Sequence, residues 1–490
     1  ASFIHTLGWQ NNTGVWAWGG GITEIVEDRP HTEESFGAFH TEHHPVDHYG
    51  MIEYQKRNFF LPAFSSLFDN DDDRADHYKT ETKFSRIVGE VDFESWAKLM
   101  RDVYFDNAII GIAFAISNLF GDIVFRKTGF FPMLYAFGPP KMGKSTFANS
   151  FMRLYGEPQD TIIIEGDSTP KGILRSFAQF RNGLVFVDEY KNTINPKLIG
   201  MLKGLYNRAG YKRAKMSQDA STESMPILSG CILGGQDMPT QEAALFSRCI
   251  LLVFDGKRGA DEKYILLQKL EEKGLTQITE EILRIRSVVE KEFASTYDAI
   301  FKLLKYDTEL AGLSERLLKN MSVLIAMSII AESYLKMPFS FSQDENGELI
   351  DPPTWQFIKK SLKYQHTQMK GASEVQEFWT TIDYLVQTGV IQENVDFKIV
   401  NATEMRMYLQ KIHPAYVEAM LRQKKTPIGT TLALKEYLRV EGHLAEEKET
   451  LRIGDNRTSG VIVKYNLIGV ELKKLQAETD VTEIAGATPF

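Results

Sequence analysis

Cysteine is nearly absent from this 490-residue sequence, which contains two. So few thiols exclude a disulfide framework and favour a reducing compartment. Long hydrophobic runs are also missing, because the longest apolar stretch, residues 108–125, is interrupted by Ser117, Asn118 and Asp122. We therefore predict a buried helix there rather than a membrane span. No charged and then apolar secretion signal opens the sequence, so we expect a cytoplasmic protein with no membrane partner.

Excess charge of one sign is small overall and confined to one part of the chain. Lys and Arg number 56 and Asp and Glu 65, which gives a formal net charge of −9. A net acidic chain argues against a basic nucleic-acid-binding protein. The first 100 residues, however, hold 17 acidic and 8 basic side chains, which is the whole excess. The rest of the chain is neutral, so we expect only the N-terminal part to lie away from nucleic acid.

The order of sequence patterns predicts an α/β protein with four parts. Residues 1–90 are aromatic-rich and strand-like, and residues 91–259 begin with helices and continue with alternating strands and helices. Residues 260–350 are predicted to be helical. Residues 351–490 mix helices and strands, and the Pro352–Pro353 pair at their start is interpreted as a linker.

The strongest motif is a glycine-rich loop of the form G-x-x-x-x-G-K-[ST], between an apolar run and a helical run. Glycines let the backbone wrap around a phosphate, and the following helix offers free N–H groups. We expect Lys144 to reach the β- and γ-phosphates and Ser145 to supply a hydroxyl to Mg²⁺. The predicted nucleotide-binding residues are Gly138, Pro139, Pro140, Lys141, Met142, Gly143, Lys144, Ser145 and Thr146.

A second motif places two carboxylates after a buried strand. The apolar residues 184–187 are followed by Asp188 and Glu189. After a complete phosphate loop, the first carboxylate is expected to hold Mg²⁺ and the second to activate the attacking water. A carboxylate in that second position favours hydrolysis over phosphoryl transfer to another substrate.

The strand predicted at residues 227–233 also ends in polar residues. Gln236 is our candidate for contacting the γ-phosphate or the attacking water, and Asp237 is the second candidate. An amide that only caps the loop is the alternative.

A single arginine, Arg248, stands at the start of the last strand predicted in this region. A guanidinium fork can stabilise the charge of a phosphoryl group during transfer. Because this strand is expected at the far edge of the sheet, Arg248 is predicted to serve the nucleotide of a neighbouring subunit. A structural salt bridge is the alternative.

These four elements, in this order, resemble an AAA+ ATPase. The Ser247–Arg248 strand start is similar to the element that carries the arginine finger in minichromosome-maintenance helicases. The resemblance implies ATP and Mg²⁺ as ligands and a ring, with a hexamer expected. It also implies a strand order in which the first strand runs between the fourth, with Cys231, and the fifth, with Cys249.

A basic stretch lies between the carboxylate strand and the strand before Gln236. Residues 197–218 contain six Lys or Arg and no acidic residue, a charge pattern that suits a phosphate backbone. In superfamily 3 and minichromosome-maintenance helicases a hairpin at this place projects a lysine into the central channel, and residues 211–216 resemble it. The resemblance implies these DNA-binding residues: Tyr211, Lys212, Arg213 and Lys215. A solvated loop is the alternative.

The chain as a whole is similar to the helicase part of primase–helicases of bacterial phages and mobile elements. Leu7-Gly8-Trp9 and the glycine-rich strands after it resemble the β-rich domain that precedes such cores. The resemblance implies a replicative DNA helicase acting on single-stranded or forked DNA in a bacterial or phage-infected cell, with a primase domain or chain as a further partner. One position departs from the pattern, because these helicases usually carry Asn where Gln236 stands.

Other functions stay open at this point. The nearest alternative is an AAA+ replication initiator or transposition-type regulator that binds DNA without unwinding it. A signalling P-loop ATPase that binds protein is the next. A P-loop kinase is disfavoured by Glu189 and Arg248.

Two further regions carry weaker predictions. An amphipathic helix at residues 430–441, followed by strands at 451–454 and 460–465, has the order of a winged helix, which binds DNA or docks protein. In the helical region, Arg284 or Arg286 is a candidate second sensor.

Seven of the ten histidines fall within the first 77 residues. The tightest group is His40, His43, His44 and His48. Its spacing fits no standard zinc template and no cysteine joins it, so we expect no metal there.

Overall fold

The structure is a computed structural model that describes residues 2–27, 39–68, 78–164, 169–214, 222–257, 259–344, 346–468 and 472. The chain is a mixed α/β protein, as predicted, and divides into two compact units, residues 1–366 and residues 367–490. The four-part division predicted from the sequence is finer than this and stays a prediction.

The N-terminal part of the first unit forms two small sheets, as its aromatic strands predict. The strands are β1 (Ser2–Phe3), β2 (Leu7–Gln10), β3 (Val15–Trp18), β4 (Gly21–Glu27), β5 (Phe39–Pro45), β6 (Met51–Tyr54) and β7 (Arg57–Phe60). Strands β1, β7 and β6 form one sheet, and β2, β3, β4 and β5 form the other. Trp16 and Trp18 on β3 are fully buried, and their large apolar rings stabilise the inner face of the second sheet.

Four helices lead into the central sheet: α1 (Lys79–Lys83), α2 (Phe93–Tyr104), α3 (Asp106–Leu119) and α4 (Gly121–Thr128). The single buried helix predicted for residues 108–125 is wrong, because α3 and α4 are bent by 84°. Asn182 holds the break: its side-chain amide donates to the Leu119 carbonyl (3.0 Å) and accepts from the Asp122 N–H (3.0 Å). Among the described residues no single helix is long and apolar enough to cross a membrane. Within the same residues, only α3 and α4 taken together meet the criteria of length and hydropathy.

The central sheet consists of five parallel strands: β8 (Met133–Phe137), β9 (Ile162–Ile163), β11 (Leu184–Tyr190), β14 (Gly230–Gly235) and β15 (Cys249–Val253). Their order is β15-β8-β14-β11-β9, so the first strand runs between the fourth and the fifth, as the AAA+ resemblance implies. Cys231 on β14 and Cys249 on β15 are buried and free. Burial raises the pKa of the Cys249 thiol to about 12, as expected for an unreactive cysteine in a core.

Helices and a hairpin connect the strands of this sheet. They are α5 (Lys144–Met152), α6 (Pro170–Ala178), β10 (Phe180–Arg181), α7 (Pro196–Tyr206), β12 (Tyr211–Ala214), β13 (Thr222–Met225) and α8 (Ala243–Phe246). Strand β10 does not join the central sheet but pairs in parallel with β2 of the N-terminal sheet. Strands β12 and β13 pair only with each other, in antiparallel register.

The helical region that follows consists of α9 (Asp261–Lys273), α10 (Thr276–Leu283), α11 (Arg286–Tyr306) and α12 (Glu315–Glu332). Helix α12 is apolar on most of its surface and is buried against α11, α3 and β15. Helix α12 therefore packs against the edge strand of the central sheet and stabilises it.

Helix α13 (Pro352–Gln387) begins with the two prolines that the sequence suggested as a linker, so that interpretation is wrong. Proline suits the first turn of a helix because the N–H that it lacks has no partner there. The boundary between the two units falls inside this helix.

The described part of the second unit contains the end of α13, two further helices and one sheet. Its elements are β16 (Phe397–Ile399), β17 (Glu404–Met407), α14 (Leu409–Arg422), α15 (Thr431–Val440), β18 (Leu444–Ile453) and β19 (Asn456–Lys464). The sheet has the order β16-β17-β19-β18. Strand β18 starts seven residues before the predicted 451–454, because its acidic first half is an exposed edge strand without apolar alternation.

Candidate nucleotide and nucleic-acid sites

The glycine-rich loop joins the end of β8 to the start of α5, as the sequence predicts. A Cβ atom at Gly138 would lie 2.3 Å from the Phe254 carbonyl oxygen, so no larger residue fits there. Gly143 has a φ of +90°, which favours glycine. The two glycines let the loop turn and direct the free N–H groups of α5 toward one concave site, a geometry that binds phosphate.

Lys144, the first residue of α5, is buried. Its Nζ donates hydrogen bonds to the carbonyl oxygens of Gly138 (2.6 Å) and Pro139 (2.7 Å). Burial lowers the pKa of this ammonium group, and the charge of Asp188 opposes that shift. Neutral carbonyls do not compensate the buried charge, so the site suits an anion.

Ser145 and Asp188, the two predicted Mg²⁺ ligands, are in direct contact. The Ser145 Oγ donates to Asp188 Oδ2 at 2.9 Å, although 43 residues separate them in the chain. Hydroxyl and carboxylate oxygens are the donor types that Mg²⁺ prefers. The residues present therefore fit that ion at the mouth of the phosphate loop.

Glu189 lies on an irregularity in β11. The pairing of β11 with β14 shifts register between Val187 and Tyr190. Glu189 has a φ of +64°, which is unfavourable for a residue with a side chain, and its N–H donates to Asp188 Oδ1 at 2.8 Å. This bulge interrupts the regular alternation of side chains along β11, and the Glu189 side chain is exposed.

Gly234 on β14 is a site residue that the sequence analysis missed. A Cβ atom there would lie 2.5 Å from Asp188 Oδ1 and 3.1 Å from the ring of Phe186. A glycine inside an apolar strand pattern is the signal that could have found it, because it marks a close approach of another group.

Gln236 and Asp237, the two sensor candidates, lie in different environments. Asp237 Oδ2 accepts from the Asn192 N–H at 3.0 Å, and its carbonyl oxygen accepts from the Tyr135 hydroxyl. Gln236 is exposed, and within the described residues its side chain has no hydrogen-bond partner. Asp237 therefore fixes the loop, whereas Gln236 is free to contact a ligand.

A cleft of about 500 Å³ opens beside the phosphate loop. Besides loop and α5 residues, its lining includes Tyr104 and Asn107 from the leading helices and Tyr264 from α9. The Asn107 Nδ2 donates to the Val253 carbonyl oxygen at 2.9 Å, which ties α3 to the end of β15. These residues are far apart in sequence and belong to no short motif, so only the fold brings them together.

Arg248 lies at the opposite end of the sheet from the phosphate loop. In the register of β15 with β8, Cys249 pairs with Met133 and Val253 pairs with Phe137. Arg248 is thus about 16 Å from the loop along the strand, at about 3.3 Å per residue. Its guanidinium donates to the Ala244 carbonyl and has no carboxylate partner in the described part of the chain.

The predicted hairpin is present in the backbone between α7 and β14. Tyr211 pairs with Met225 and Ala214 pairs with Thr222. This places the backbone of Lys212 and Arg213 on the first strand, whereas Lys215 lies outside the described residues.

The basic charge around this hairpin is smaller than the sequence suggests. Lys203 forms an ion pair with Glu242 at 3.2 Å. The Arg208 guanidinium packs over the rings of Phe125 (5.2 Å) and Phe131 (5.7 Å), and burial lowers its pKa to about 10. Lys203 and Arg208 therefore stabilise the fold through these contacts.

Arg286, a candidate second sensor, is held in a buried ion pair. It donates to both Asp122 oxygens, at 3.2 Å and 2.5 Å, and lies 3.7 Å from the centre of the Trp9 ring. These contacts join α11 to α4 and to the N-terminal sheet. They give Arg286 a structural role away from the phosphate loop.

The histidine cluster is built into the pairing of β4 with β5. The His43 Nδ1 lies 3.1 Å from Thr23 Oγ1, and burial lowers the pKa of His43 to about 4. On the other face, ligand atoms of Glu24, Glu42 and His44 lie within 4.8 Å of one another. A hydrogen bond already joins Glu24 to His44 at 2.8 Å. The expected absence of a metal at this cluster stays a prediction.

In the second unit, α15 and the β18–β19 hairpin follow one another in winged-helix order. Two basic side chains of α15 are neutralised by acidic partners. Lys435 pairs with Glu447 at 2.7 Å, and Arg439 pairs with Glu447 and Glu436. Paired charges of this kind weaken attraction to a phosphate backbone.

No protein-family profile matches the chain, and no curated protein matches it in sequence. Similarities do occur among solved structures. The SCCmec type IV Cch active helicase matches over 95% of this chain and 92% of its own, with a TM-score of 0.44 and 12% identity.

Two other solved structures are similar at lower scores. The apo C-terminal region of NrS-1 matches over 84% of this chain and 82% of its own, with a TM-score of 0.26 and 10% identity. Cdc6p from Pyrobaculum aerophilum matches over 79% and 93%, with a TM-score of 0.19 and 10% identity. The architecture described above rests on the strand order and the loop geometry of this chain itself.

Proposed function

We propose that this protein is an AAA+ ATPase that works as a hexameric, ring-shaped DNA helicase of a phage or mobile element.

 The observation that carries the proposal is the 2.9 Å contact between Ser145 Oγ and Asp188 Oδ2 at the opening of the phosphate loop. It brings a hydroxyl and a carboxylate from two distant segments to the place where a nucleoside triphosphate and its Mg²⁺ would lie.

Each residue of the proposed nucleotide site has a distinct task. Lys144 exchanges its loop carbonyls for the β- and γ-phosphate oxygens, because charged oxygens are the stronger acceptors. Ser145 and Asp188 hold Mg²⁺, which neutralises phosphate charge when bound. Glu189 accepts a proton from the attacking water, and Gln236 orients that water or the γ-phosphate.

The cleft beside the loop is proposed to hold the nucleoside. Its volume of about 500 Å³ suits a small ligand, and the aromatic rings of Tyr104 and Tyr264 offer flat apolar surfaces. The leading helices and α9 would then close around ATP from two sides.

Arg248 is proposed to complete the site of a neighbouring subunit. Its distance from the phosphate loop of its own chain rules out contact with the same nucleotide. The lack of a carboxylate partner within the described residues leaves its charge available for a phosphate. This role makes hydrolysis depend on assembly into a ring.

The β12–β13 hairpin is proposed to grip the DNA strand with Tyr211, Lys212, Arg213 and Lys215. Along the chain it lies between the carboxylate strand β11 and β14, the strand that Gln236 follows. A change at the γ-phosphate can therefore be transmitted to the hairpin through β14.

Unwinding of a forked DNA duplex in the presence of ATP tests the proposal. We expect the unsubstituted chain to separate the strands and Lys144→Ala to fail, with its folding checked by circular dichroism. Hydrolysis and DNA binding without strand separation would favour an AAA+ initiator or regulator. The paired charges on α15 specifically favour protein docking by the second unit in that case.

A further inference from the structure

A second arginine, which no sequence motif marks, contacts the start of the edge strand β15. Arg316 lies in the first turn of α12 and is exposed. Its Nη1 donates to the Ser247 Oγ at 2.8 Å, directly beside Arg248. We propose, on the basis of the proposed function, that Arg316 and Arg248 together bind the terminal phosphate of a nucleotide held by a second copy of this chain.

The two guanidinium groups are brought together by rigid elements. One turn after Arg316, the Asn320 Nδ2 donates to the Ser247 carbonyl oxygen at 3.0 Å. The Tyr206 hydroxyl donates to Asn320 Oδ1 at 2.8 Å, and the Arg248 guanidinium lies 5.6 Å from the centre of the Tyr206 ring. Helices α7 and α12 thus fix the position from which both arginines act.

The charges of this pair are not balanced within the chain. Burial lowers the pKa of Arg248, and the nearby charge of Arg316 lowers it further. Among the described residues neither guanidinium has a carboxylate partner. By contrast, Lys319 on the same helix pairs with Glu315 at 3.0 Å. Two adjacent cations repel each other unless an anion lies between them, so this arrangement favours an anionic ligand.

Phosphate is the anion that best fits two guanidinium forks, because each fork presents parallel N–H donors to its oxygens. The phosphate loop of the same chain lies at the other end of the sheet. Arg316 is exposed and Arg248 is partly exposed, so an anion held by another copy can reach both. The terminal phosphate in that copy's cleft is therefore the ligand that we assign to the pair.

Mixed oligomers of two defective variants test the assignment. Arg316→Ala is expected to lower kcat for ATP at least ~10-fold, a smaller loss than the 10³–10⁵-fold attributed to an arginine finger. A fluorescent ATP analogue should bind to it as to the unsubstituted chain, because its own phosphate loop is intact. Mixed with Lys144→Ala, which keeps both arginines but cannot bind ATP, it should regain hydrolysis above the sum of the two separate rates. Lys319→Ala is the matched control and should hydrolyse ATP normally.

Four results would overturn the inference. Full hydrolysis by Arg316→Ala is the first, and lost DNA affinity at unchanged kcat, which would indicate a DNA contact, is the second. The third concerns mixed oligomers. It is a mixture of Arg316→Ala with Lys144→Ala that regains no ATP hydrolysis, while a mixture of Arg248→Ala with Lys144→Ala does regain it. That third result would leave the proposed function intact. Absence of hydrolysis by the unsubstituted chain would remove the proposed function and the inference together.

Discussion

At the scale of single residues, Asp188 shows how much of a site depends on its neighbours. Its Oδ2 accepts from Ser145 and its Oδ1 from the Glu189 N–H. Gly234 leaves the space that the carboxylate occupies. The sequence motif identifies the carboxylate, but the space and the donors around it come from other segments.

Gly234→Ala is expected to displace the Asp188 carboxylate, because the new Cβ would lie 2.5 Å from Oδ1. ATP hydrolysis should fall at least ~10-fold, the effect of about 1.4 kcal/mol on the barrier. Steady-state ATPase assays check this. Gly200→Ala in α7 is the control, since nothing lies within 4 Å of its Cβ position. Equal rates for the two variants would contradict the packing described for Asp188.

Glu189→Gln separates binding from hydrolysis. The amide cannot accept the proton of the attacking water, so hydrolysis should fall about 10²–10⁴-fold while ATP binding stays. Single-turnover hydrolysis and binding of a fluorescent ATP analogue measure the two quantities. Glu157→Gln, an exposed acidic residue elsewhere, serves as the control. Unchanged hydrolysis in Glu189→Gln would refute its role.

At the scale of elements, α9 carries a buried acid that makes stability depend on pH. Burial raises the pKa of Glu271 from 4.5 to about 7. The folded chain therefore holds a proton that the unfolded chain releases between pH 4.5 and 7, and stability falls as the pH rises through that window. Above pH 7 the loss of stability no longer changes with pH.

Glu271→Gln is expected to remove this dependence. The variant should match the unsubstituted chain near pH 4.5 and exceed its free energy of unfolding by at most about 3 kcal/mol at pH 8. Urea unfolding at the two pH values measures this, with the exposed Glu272→Gln as the control. A difference that does not change with pH would contradict the burial of a neutral acid.

The β12–β13 hairpin is the element proposed to contact DNA. Lys212→Ala combined with Lys215→Ala should weaken binding of single-stranded DNA and reduce the steepness of its salt dependence, because fewer phosphate contacts release fewer counterions. ATP hydrolysis without DNA should persist. Fluorescence anisotropy over a salt series measures the affinity, and Lys203→Ala, whose partner is Glu242, is the control. Normal unwinding by the double variant would refute the hairpin assignment.

Sequence patterns predicted the features that lie within one short segment of the chain. They missed the features that depend on contacts between distant residues. The phosphate loop, the two carboxylates of β11 and the strands β8, β11, β14 and β15 are each contained in one short segment. Tyr104, Tyr264 and Arg316 became visible only in the fold, because each meets its neighbours across many residues of chain. The break between α3 and α4 was missed for the same reason, since Asn182 supplies the hydrogen bonds that stabilise it.

At the scale of the whole molecule, charge and topology agree on where DNA is expected. The acidic excess lies in the first 100 residues, whereas the hairpin belongs to the remaining part of the chain, whose net charge is zero. Arg248 and Arg316 lie at the edge strand, at the opposite end from the phosphate loop. We therefore propose a subunit whose own nucleotide site is completed by a neighbour.

The rate of ATP hydrolysis with and without single-stranded DNA, measured together with the mass of the assembly, tests this claim most directly. We expect that single-stranded DNA raises the rate and that ATP promotes a ring of several copies. A rate that DNA does not change, from a protein that stays monomeric with ATP and DNA present, would contradict it.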